Sequence, residues 1–552
     1  MSSQKFQLLC AASVAAIISV GPALAQTSVS HDKIDAMEAQ INALQQELRA
    51  VKSKVNNAEK TAEKAYAAAP PAVKNPLPPP APPSGVAKMS PGNRPSICTI
   101  DGQNCVGLTA RLHFDVGGYD YRPNTGNSIQ HVDDGVNARR ARFGVLGTFM
   151  GDWNYGLVLD SGGTSDGHGG TIATDTGKIG LLPGGIISTI QSAFVSYQGI
   201  KGTVDVPRPA MPYKGAPPPA PVSSWGTALE VGYMDSFWSL DEATSSNDIM
   251  FLERASAQVI ASNIAAGDFR SQAGARYWSD WLWLGAYATG PVTGAVHNGT
   301  GSSSAKQTPS ATEQWGGYAR GALHWTSNDK LVTVHVGGGA EALFKSIYDR
   351  VAGTHPLTFS DRPEIRIDPS FTILSTGGLT DVRHAQVYNV EGAASVGPVF
   401  FQGEYFWFNV DRFFNPSARF EGGYAQASWV ITGESRTYNN PQAAFNGVVP
   451  KDPFSLKGGG WGAWEIAGRY SYMNLNDHLP NFSGAGGGAL GGGQPGGKQQ
   501  VTTVGLNWYV NRNMRFMLDY LHGKIDKTDT VKNPSDVGAK FDAVALRTQF
   551  AF

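Results

Sequence analysis

From Leu108 to the C-terminus, the chain is divided into segments in which apolar and polar side chains alternate. The last segment, 541–552, is representative, since Val544, Leu546, Phe550 and the terminal Phe552 share one parity while mainly polar or small residues hold the other. Strict alternation is typical of a strand with one apolar face. A single such strand also fits the edge of any half-buried sheet, so the number of segments decides the fold.

Sixteen segments of this kind follow one another. They start near Leu108, Arg140, Trp153, Thr189, Thr227, Phe269, Trp281, Gln314, Leu331, Gln386, Val399, Phe420, Gly462, Gln499, Met514 and Phe541. Beyond the N-terminus there is no run of about 18 apolar residues, which excludes a transmembrane helix. A closed barrel is the other backbone arrangement that lipid permits, and single-chain bacterial barrels have an even strand number. The prediction is an all-β, 16-stranded antiparallel transmembrane β-barrel over residues 105–552.

The lengths of the connections predict how the barrel is oriented. Short links follow even-numbered strands, at 151–152, 279–280, 326–330, 397–398 and 510–513, whereas longer stretches mostly follow odd-numbered ones. Outer-membrane barrels have short periplasmic turns and long outer loops. Two links on the short side are exceptions, 198–226 with its Pro-rich insertion 207–221 and 433–461, and both are interpreted as periplasmic decorations.

The residues before the barrel form three predicted segments. Residues 1–25 end in the A-x-A motif Ala23-Leu24-Ala25 and are interpreted as a signal peptide. Residues 26–68 carry apolar residues at a 3-4 spacing from Ile34 to Ala65, typical of a parallel coiled coil in the periplasm. The alternative is a helix packed on its own domain. Residues 69–95 form a Pro-rich linker, and Cys98 and Cys105 are either bridged or two free thiols.

The charged residues of the sequence bear on its binding partners and on the lining of the lumen. A formal net charge of −1 gives no reason to expect a nucleic-acid partner. Charged residues lie on the polar parity in nearly equal numbers: Arg111, Arg140, Arg142, Arg270, Arg276, Arg320, Arg469, Arg515 and Arg547 against Asp115, Asp160, Glu230, Glu341, Glu391, Glu404, Glu465 and Asp519. The arginines of strands fifteen, sixteen, one and two oppose the acids of strands nine to thirteen. The hypothesis is a transverse electric field across a water-filled lumen.

Six ordered sequence blocks resemble the phosphate-selective porin O and P family. They are RRAR at 139–142, IKG at 200–202, VGYMDSFWSLDEATSSNDIMFLER at 231–254, ITGESRTY at 431–438, GAWEIAGRYS at 462–471 and VGLNWYVNRNMRFMLDYLH at 504–522. The resemblance implies a homotrimeric porin in the outer-membrane lipid, with its third outer loop, 234–268, folded into the lumen. It also implies an anion path that uses Ser245, Ser246 and Arg254 on that loop and Arg139 and Arg140 on the wall.

The loop departs from the pattern expected for a phosphate path. Its acids include Asp241, Glu242, Asp248 and Glu253, whereas Arg254 is its single basic residue. Passive diffusion of small solutes is therefore expected, and whether phosphate, anions in general or no ion is preferred stays open. The residues expected to line the pore or set selectivity are Arg111, Arg139, Arg140, Arg142, Ser245, Ser246, Arg254, Arg276, Arg320, Arg515, Arg547, Asp241, Glu242, Asp248 and Glu253.

Two functions other than a channel are compatible with parts of the sequence. A tether between outer membrane and peptidoglycan, with a largely closed barrel, is the alternative that the coiled coil and linker suggest. An enzyme is not expected, because no nucleophile motif accompanies the inward-facing His113, His324 and His335. The stretch 493–499 approximates a phosphate-binding loop but lacks its Ser or Thr, and is interpreted as an outer loop. No cofactor or metal is expected.

Overall fold

The computed structural model of the chain divides into two units, Met1–Ala81 and Pro82–Phe552. It describes residues 86–90, 94–124, 132–162, 189–203, 223–262, 264, 269–290, 314–350, 352–368, 372–478, 493–527 and 537–552, together with three isolated positions, 46, 49 and 53. The predicted signal peptide and Pro-rich insertion 207–221 lie outside these residues, as does the predicted coiled coil except at the three isolated positions. No helix in the described ranges is long and apolar enough to span a bilayer.

The described elements are almost all strands. In chain order they are β1 (Val86–Ser90), β2 (Arg94–Cys98), β3 (Cys105–Arg122), β4 (Gly135–Phe149), β5 (Trp153–Asp160), β6 (Thr189–Tyr197), β7 (Lys201–Thr203), β8 (Ser223–Asp235), α1 (Leu240–Ala243), α2 (Ser256–Ser262), β9 (Phe269–Trp278), β10 (Leu282–Thr289), β11 (Trp315–Thr326), β12 (Val332–Lys345), β13 (Ser360–Asp361), β14 (Leu374–Ser375), β15 (Val382–Val396), β16 (Val399–Arg412), β17 (Ala418–Val430), β18 (Tyr438–Asn439), β19 (Ala444–Phe445), β20 (Ala463–Asp477), β21 (Gln494–Tyr509), β22 (Met514–Asp526) and β23 (Ala539–Ala551).

Sixteen of these strands form one closed antiparallel barrel, which confirms the predicted fold. They are β3–β6, β8–β12, β15–β17 and β20–β23, and each pairs with the next in chain order. The cylinder closes where β23 pairs with β3, with Leu546 opposite Val116 and Arg547 opposite Asp115. Closure leaves the wall without an unpaired edge, as a strand structure in lipid requires.

The alternation read from the sequence separates the two faces of the wall. Leu506, Leu518, Leu546 and Val116 are successive cross-strand neighbours, and all four are exposed on the outer face. The intervening residues point into the lumen, where Arg547 and Asp519 are buried. A band of apolar side chains outside and charged side chains inside is the arrangement of a lipid-embedded barrel.

The short links lie together at one end of the barrel, beside the C-terminus. In the first of them, Met150 and Gly151 both have positive φ, +50° and +72°. Glycine adopts this conformation at little cost, so Gly151 allows the chain to reverse directly between β4 and β5. This end faces the periplasm by the rule that short turns do so, and the opposite end is called the outer end below.

Two segments differ from the sequence interpretation. Two parts of the predicted linker, 86–90 and 94–95, belong to the paired strands β1 and β2, and β2 in turn pairs with β3. A disulfide joins the directly opposed Cys98 and Cys105 across that pair. The sequence obscured this hairpin because Pro95 breaks the strand pattern. Pro95 lies outside the part of β2 that pairs with β3, which begins at Ser96, so its missing N–H does not interrupt that pairing.

The second difference concerns the link that follows β17, which is called the periplasmic insertion (431–462) below. It enters the lumen and is not a peripheral decoration: the Pro441 carbonyl accepts hydrogen bonds from Arg276 and Trp283, each at 3.0 Å. Arg320 donates to the Ala443 carbonyl at 2.7 Å. No alternating pattern marks such a segment, so its length alone gave no sign of where it folds. The glycine-rich stretch 493–499 is likewise largely part of β21 and not of a loop.

A charge placed on the lipid face should destabilise the barrel. Leu546 lies near the middle of β23 and is exposed to lipid, so we expect Leu546→Arg to lower the free energy of unfolding by about 2–4 kcal/mol. Leu331→Arg, at an exposed periplasmic turn, is the matched control and should have little effect. Urea unfolding of the protein in lipid vesicles measures both, and equal stabilities would contradict the assignment of the lipid face.

Candidate functional site: a lumen narrowed by an inserted loop

The described residues between β8 and β9, 236–262 and 264, make hydrogen bonds with inward-facing side chains of the wall and so lie in the lumen; they are called the inserted loop below. Its apolar side chains pack against more than one part of the wall: Trp238 packs with Phe406 of β16, whereas Leu252 packs with residues of β21, β22 and β23. Trp238 and Ile260 are fully buried, and the Trp238 ring lies 5.7 Å from the ring of Phe406. Burial of such large side chains stabilises the loop against this wall, because each removes apolar area from water.

Wall acids hold the backbone N–H groups at the start of α1. The Leu240 N–H donates to both Glu391 and Glu404, at 2.8 and 2.7 Å, and the Asp241 N–H donates to Glu404 at 3.3 Å. The first N–H groups of a helix have no partner within the helix, and carboxylates are favoured beside them. Two of the acids expected to face the pore are therefore occupied by the loop.

Wall arginines hold the backbone carbonyls of the second half of the loop. Arg515 donates to the carbonyl of Ile249 at 2.8 Å, and Arg469 donates to that of Glu253, also at 2.8 Å. Arg547 donates to the carbonyl of Leu252. These contacts satisfy backbone groups that would otherwise be buried without partners.

Glu253 is the ionic anchor of the loop. Arg139 contacts its carboxylate with two nitrogens, at 2.7 and 2.9 Å, and Arg547 contacts it at 2.8 Å. Burial disfavours the charged form of Glu253, but these guanidinium groups outweigh that effect and hold the pKa of the carboxyl well below its usual range. The anchor is therefore fully charged at neutral pH.

A β-bulge explains how two successive arginines of β4 both face inward. His113 pairs with Arg140 but Asp115 pairs with Asn137, so two residues of β4 stand opposite one residue of β3. Strict alternation would send Arg139 toward lipid. With the bulge it reaches Glu253, while Arg140 lies 3.3 Å from a ring nitrogen of His113.

A second outer segment, 346–381, also contacts the inserted loop. The Ser256 N–H donates to Glu364 at 2.9 Å, and Arg366 lies 3.4 Å from the Glu253 carboxylate. From the periplasmic side, Arg436 donates to the carbonyl of Asp248 at 2.8 Å. The lumen is thus narrowed by segments from both ends of the barrel, two of which the sequence did not place there.

A cavity of about 600 Å³ lies within the lumen. Of the residues predicted for the pore, the structure places Arg111, Arg142, Arg276, Arg515, Ser245 and Asp248 in its lining. Sequence reasoning missed Arg94 of β2, Gln191 and Ser192 of β6, and Arg512 in the last periplasmic turn, all of which also line it. The charge of Arg94 and Arg512 was visible in the sequence, but their segments carried no sign that they border the lumen.

Most of the remaining predicted residues hold the loop in place, whereas Arg140 contacts His113 of the wall. Arg139 and Arg547 anchor Glu253, and Arg320 forms an ion pair with Glu391 at 2.8 Å. Within the loop, Arg254 donates to the carbonyls of Asp241 and Thr244, and Glu242 accepts from Gln258 and Ser262. Ser246 accepts from Arg111.

Arg111 differs from Arg142 and Arg276, the other predicted arginines of the cavity lining that have side-chain partners, in the type of partner it has. Arg142 is paired with Asp160 at 2.7 Å and Arg276 with Glu230 at 3.0 Å. Arg111 instead donates to two neutral hydroxyls of the loop, Ser246 at 2.5 Å and Ser245 at 3.2 Å. Within the described ranges no carboxylate lies in ion-pair distance of this guanidinium, so its positive charge faces the cavity without direct neutralisation.

The histidines of the lumen contact neighbouring side chains of the wall, the inserted loop and the periplasmic insertion. His335 contacts Glu391 and the Tyr438 hydroxyl, and His324 stacks on the Tyr438 ring. His113 contacts Asn247 at 3.2 Å. In the part of the chain that the structure describes, no cluster of three or more His, Cys, Asp and Glu residues is arranged to hold a metal ion.

Removing the anchor charge should loosen the loop. Glu253→Gln removes the carboxylate that Arg139 contacts and one of the two that Arg547 contacts, the other being Asp115 at 2.7 Å, so we expect a loss of about 3–5 kcal/mol in the free energy of unfolding at neutral pH. Because the pKa of Glu253 is lowered by folding, this stabilisation is present above the ordinary glutamate range and is lost as the pH falls through the folded-state pKa. Urea unfolding in detergent and limited proteolysis within 240–260 measure the effect. The exposed Asp452→Asn serves as control, and equal protease resistance of both variants would contradict the anchor role.

Comparison with known proteins gives a family and several relatives. A model of the family "Phosphate-selective porin O and P" matches residues 106–552. A protein of Caulobacter vibrioides with no characterised function is 24% identical over 523 residues, which covers 92% of this chain and 88% of that protein. Porin O of Pseudomonas aeruginosa is 31% identical over 168 residues, which covers 30% of this chain and 35% of that protein.

Two solved structures of outer-membrane proteins show a partial likeness to this chain. The outer membrane channel DcaP of Acinetobacter baumannii is 11% identical, with a TM-score of 0.41, over 81% of this chain and 97% of its own. The trimer form of OmpT, an outer membrane protein of Vibrio cholerae, is 10% identical, with a TM-score of 0.41, over 81% of this chain and 99% of its own.

Proposed function

The chain belongs to the phosphate-selective porin O and P family and forms an outer-membrane channel for small hydrophilic solutes, and we propose that this channel prefers small oxyanions such as phosphate. The observation that carries the proposal is the position of Arg111. Its guanidinium lines the cavity and is held by the hydroxyls of Ser245 and Ser246. A guanidinium and two hydroxyls are hydrogen-bond donors that suit the oxygens of a phosphate.

The acids of the inserted loop do not oppose this preference as strongly as their number suggests. Glu253 is neutralised by Arg139 and Arg547, Glu242 bonds within the loop, and Asp241 lies 3.6 Å from Arg254. Among the four loop acids predicted for the pore, Asp248 is the one that lines the cavity. The excess of loop acids thus belongs mainly to the support of the loop.

We also propose roles for two N-terminal segments that lie almost entirely outside the described residues. Residues 1–25 act as a signal peptide, and residues 26–68 form a periplasmic coiled coil that assists homotrimer formation and contacts peptidoglycan. The support for this is the A-x-A motif and the unbroken 3-4 spacing. A purified variant lacking 26–68, compared by light scattering with the full chain, should dissociate more readily on dilution.

We propose no catalytic role, since the lumen histidines are engaged in bonds and stacking with neighbouring side chains.

Neutralising Arg111 should reduce anion preference. In planar bilayers with a KCl gradient, we expect the reversal potential of the full chain to be displaced from zero toward the equilibrium potential of chloride. We expect the reversal potential of Arg111→Gln to lie much closer to zero. Arg383→Gln removes an equal charge at an exposed strand end and is the control. A reversal potential that is the same in the wild type and the Arg111 variant would overturn the proposal.

The two serines should affect phosphate more than charge selectivity. We expect added phosphate to reduce the chloride current of the wild type, and Ser245→Ala with Ser246→Ala to weaken this block about tenfold, since two donors are lost. Reversal potentials in KCl should change little, because no charge is removed. A block by phosphate that is unchanged in the double variant would show that the pair does not bind the anion.

Acidification should increase anion preference through Asp248. Burial raises the pKa of this carboxyl above its ordinary value, so it becomes neutral at a higher pH than an exposed aspartate does. As the pH falls through that raised pKa, the lining loses a negative charge near Arg111. We expect the reversal potential to shift toward the equilibrium potential of chloride as the pH is lowered from neutral to acid. Asp248→Asn should show this shifted reversal potential already at neutral pH. A pH response that survives in this variant would assign it to another group.

A further inference from the structure

One part of the cavity lining carries no charge. Asn154 of β5 and the successive residues Gln191 and Ser192 of β6 border the cavity, and these three polar residues are called the neutral patch below. A β-bulge explains why two successive residues of β6 face inward. Gln191 is an extra residue in β6, between two residues that pair with successive residues of β5. As in β4, the bulge directs to the lumen a polar side chain that strict alternation would send toward lipid.

The side chains of the neutral patch have unused hydrogen-bonding groups. Gln191 and Ser192 are only 6% and 5% exposed. In the ranges that the structure describes, neither they nor Asn154 form a side-chain hydrogen bond with another protein group. Gln198, farther along β6, differs from them because its amide donates to the Ser196 hydroxyl at 3.2 Å. A polar group that is buried without a partner is unfavourable, so the patch gains hydrogen bonds when water or a solute occupies the cavity beside it.

The chemistry of the patch matches hydroxyl groups better than it matches a free phosphate ion. Each amide presents N–H donors and a carbonyl acceptor, and the Ser192 hydroxyl both donates and accepts. A hydroxyl group of a solute can pair with either kind of group. An ionised inorganic phosphate presents mainly acceptors, so the amide and hydroxyl oxygens of the patch would be left without a donor.

An aromatic ring lies beside the neutral patch. Phe194 is the next inward-facing residue of β6 after Ser192, and it also lines the cavity. Its ring occupies the space next to Gly156 of β5, where an added Cβ would come within 2.6 Å of a ring carbon. Aromatic rings pack against apolar groups such as the C–H groups of a carbon chain. Inorganic phosphate has no such groups, whereas an organic phosphate does.

The patch lies near enough to Arg111 for one small solute to contact both. Arg111 pairs with Arg142 of β4, which pairs with Asp160 of β5. Ser192 of β6 lies on the next inward-facing row toward the periplasmic end, three strands from Arg111, or about 14 Å along the wall. Because inward-pointing side chains of a cylinder converge, the gap between the two groups is shorter than the distance between their backbones.

We propose that the channel favours phosphate esters of small polyols, such as glycerol phosphate, over inorganic phosphate. This inference rests on the proposed preference for oxyanions and specifies the class of solute. The phosphate group binds Arg111, Ser245 and Ser246, which donate to its oxygens. The hydroxyl groups of the same molecule pair with the neutral patch, and its carbon chain packs on Phe194.

The test measures block of the chloride current through the purified full chain in planar bilayers. The probes are glycerol phosphate, methyl phosphate and inorganic phosphate, at a pH at which all three are dianions. We expect glycerol phosphate to block half of the current at a concentration about tenfold lower than inorganic phosphate does, because it adds hydrogen bonds with the patch. Methyl phosphate has no hydroxyl group on its carbon and should block like inorganic phosphate.

Gln191→Leu with Ser192→Ala should abolish the difference between glycerol phosphate and inorganic phosphate, because the hydrogen bonds that distinguish the two solutes are lost. The matched control is Gln198→Leu with Ser196→Ala, which removes an amide and a hydroxyl of the same strand that bond to each other. This control variant should keep the preference for glycerol phosphate. The comparison of the three probes on the wild type depends on neither variant.

The failure of this inference can be distinguished from failure of the proposed function. Equal block of the wild type by glycerol phosphate and inorganic phosphate would overturn the preference for esters and leave the preference for oxyanions intact. Block by methyl phosphate as strong as that by glycerol phosphate would overturn recognition of the hydroxyl groups. A preference for glycerol phosphate that survives in the Gln191/Ser192 variant would do the same for the role of the patch. If none of the three probes blocks the wild type, both this inference and the preference for oxyanions are contradicted.

Discussion

A polypeptide segment can be enclosed in a barrel only if its backbone N–H and C=O groups find partners there. The inserted loop meets this requirement through the wall and not through its own short helices. Glu391 and Glu404 receive its N–H groups on one side, whereas Arg515, Arg469 and Arg547 bind its carbonyls on the other. The separation of arginines and acids around the wall therefore first serves to position the loop. The loop in turn determines how much of the lumen stays open.

This division explains how a lumen with balanced charge can still contain a local excess of one sign. Most wall charges are paired with one another or with the loop, as Arg142 is with Asp160 and Arg320 with Glu391. What differs is the set that borders the cavity, where Arg111 is held by hydroxyls. Most of the charges that were expected to create a transverse field across the lumen thus form ion pairs and hydrogen bonds that hold the wall and the inserted loop together. The hypothesis about selectivity then concerns a few residues and not the sum over all strands.

The wall could be predicted from the sequence and the interior only in part. Period-two alternation is repeated in sixteen segments, and each repeat restricts the others, so strand number and facing were correct for residues such as Leu546 and Arg547. The bulge that turns Arg139 inward breaks this period and was not predicted. An inward position of Arg139 was expected only from the family resemblance. The hairpin of β1 and β2 and the periplasmic insertion have no periodic pattern, and their positions depend on contacts far away in sequence, such as that of Pro441 with Trp283. Contacts of that kind leave no local signal.

The seam between β23 and β3 has a consequence for biogenesis. Because β3 is the first and β23 the last of the sixteen barrel strands in chain order, the circle of hydrogen bonds cannot form until all sixteen strands have been exported. A chain that lacks β23 would form a sheet with two unpaired edges, at β22 and at β3. Such a product would expose unpaired backbone groups to proteases and to other nascent chains. The pairing of β23 with β3 therefore couples protection of the backbone to the presence of every barrel strand.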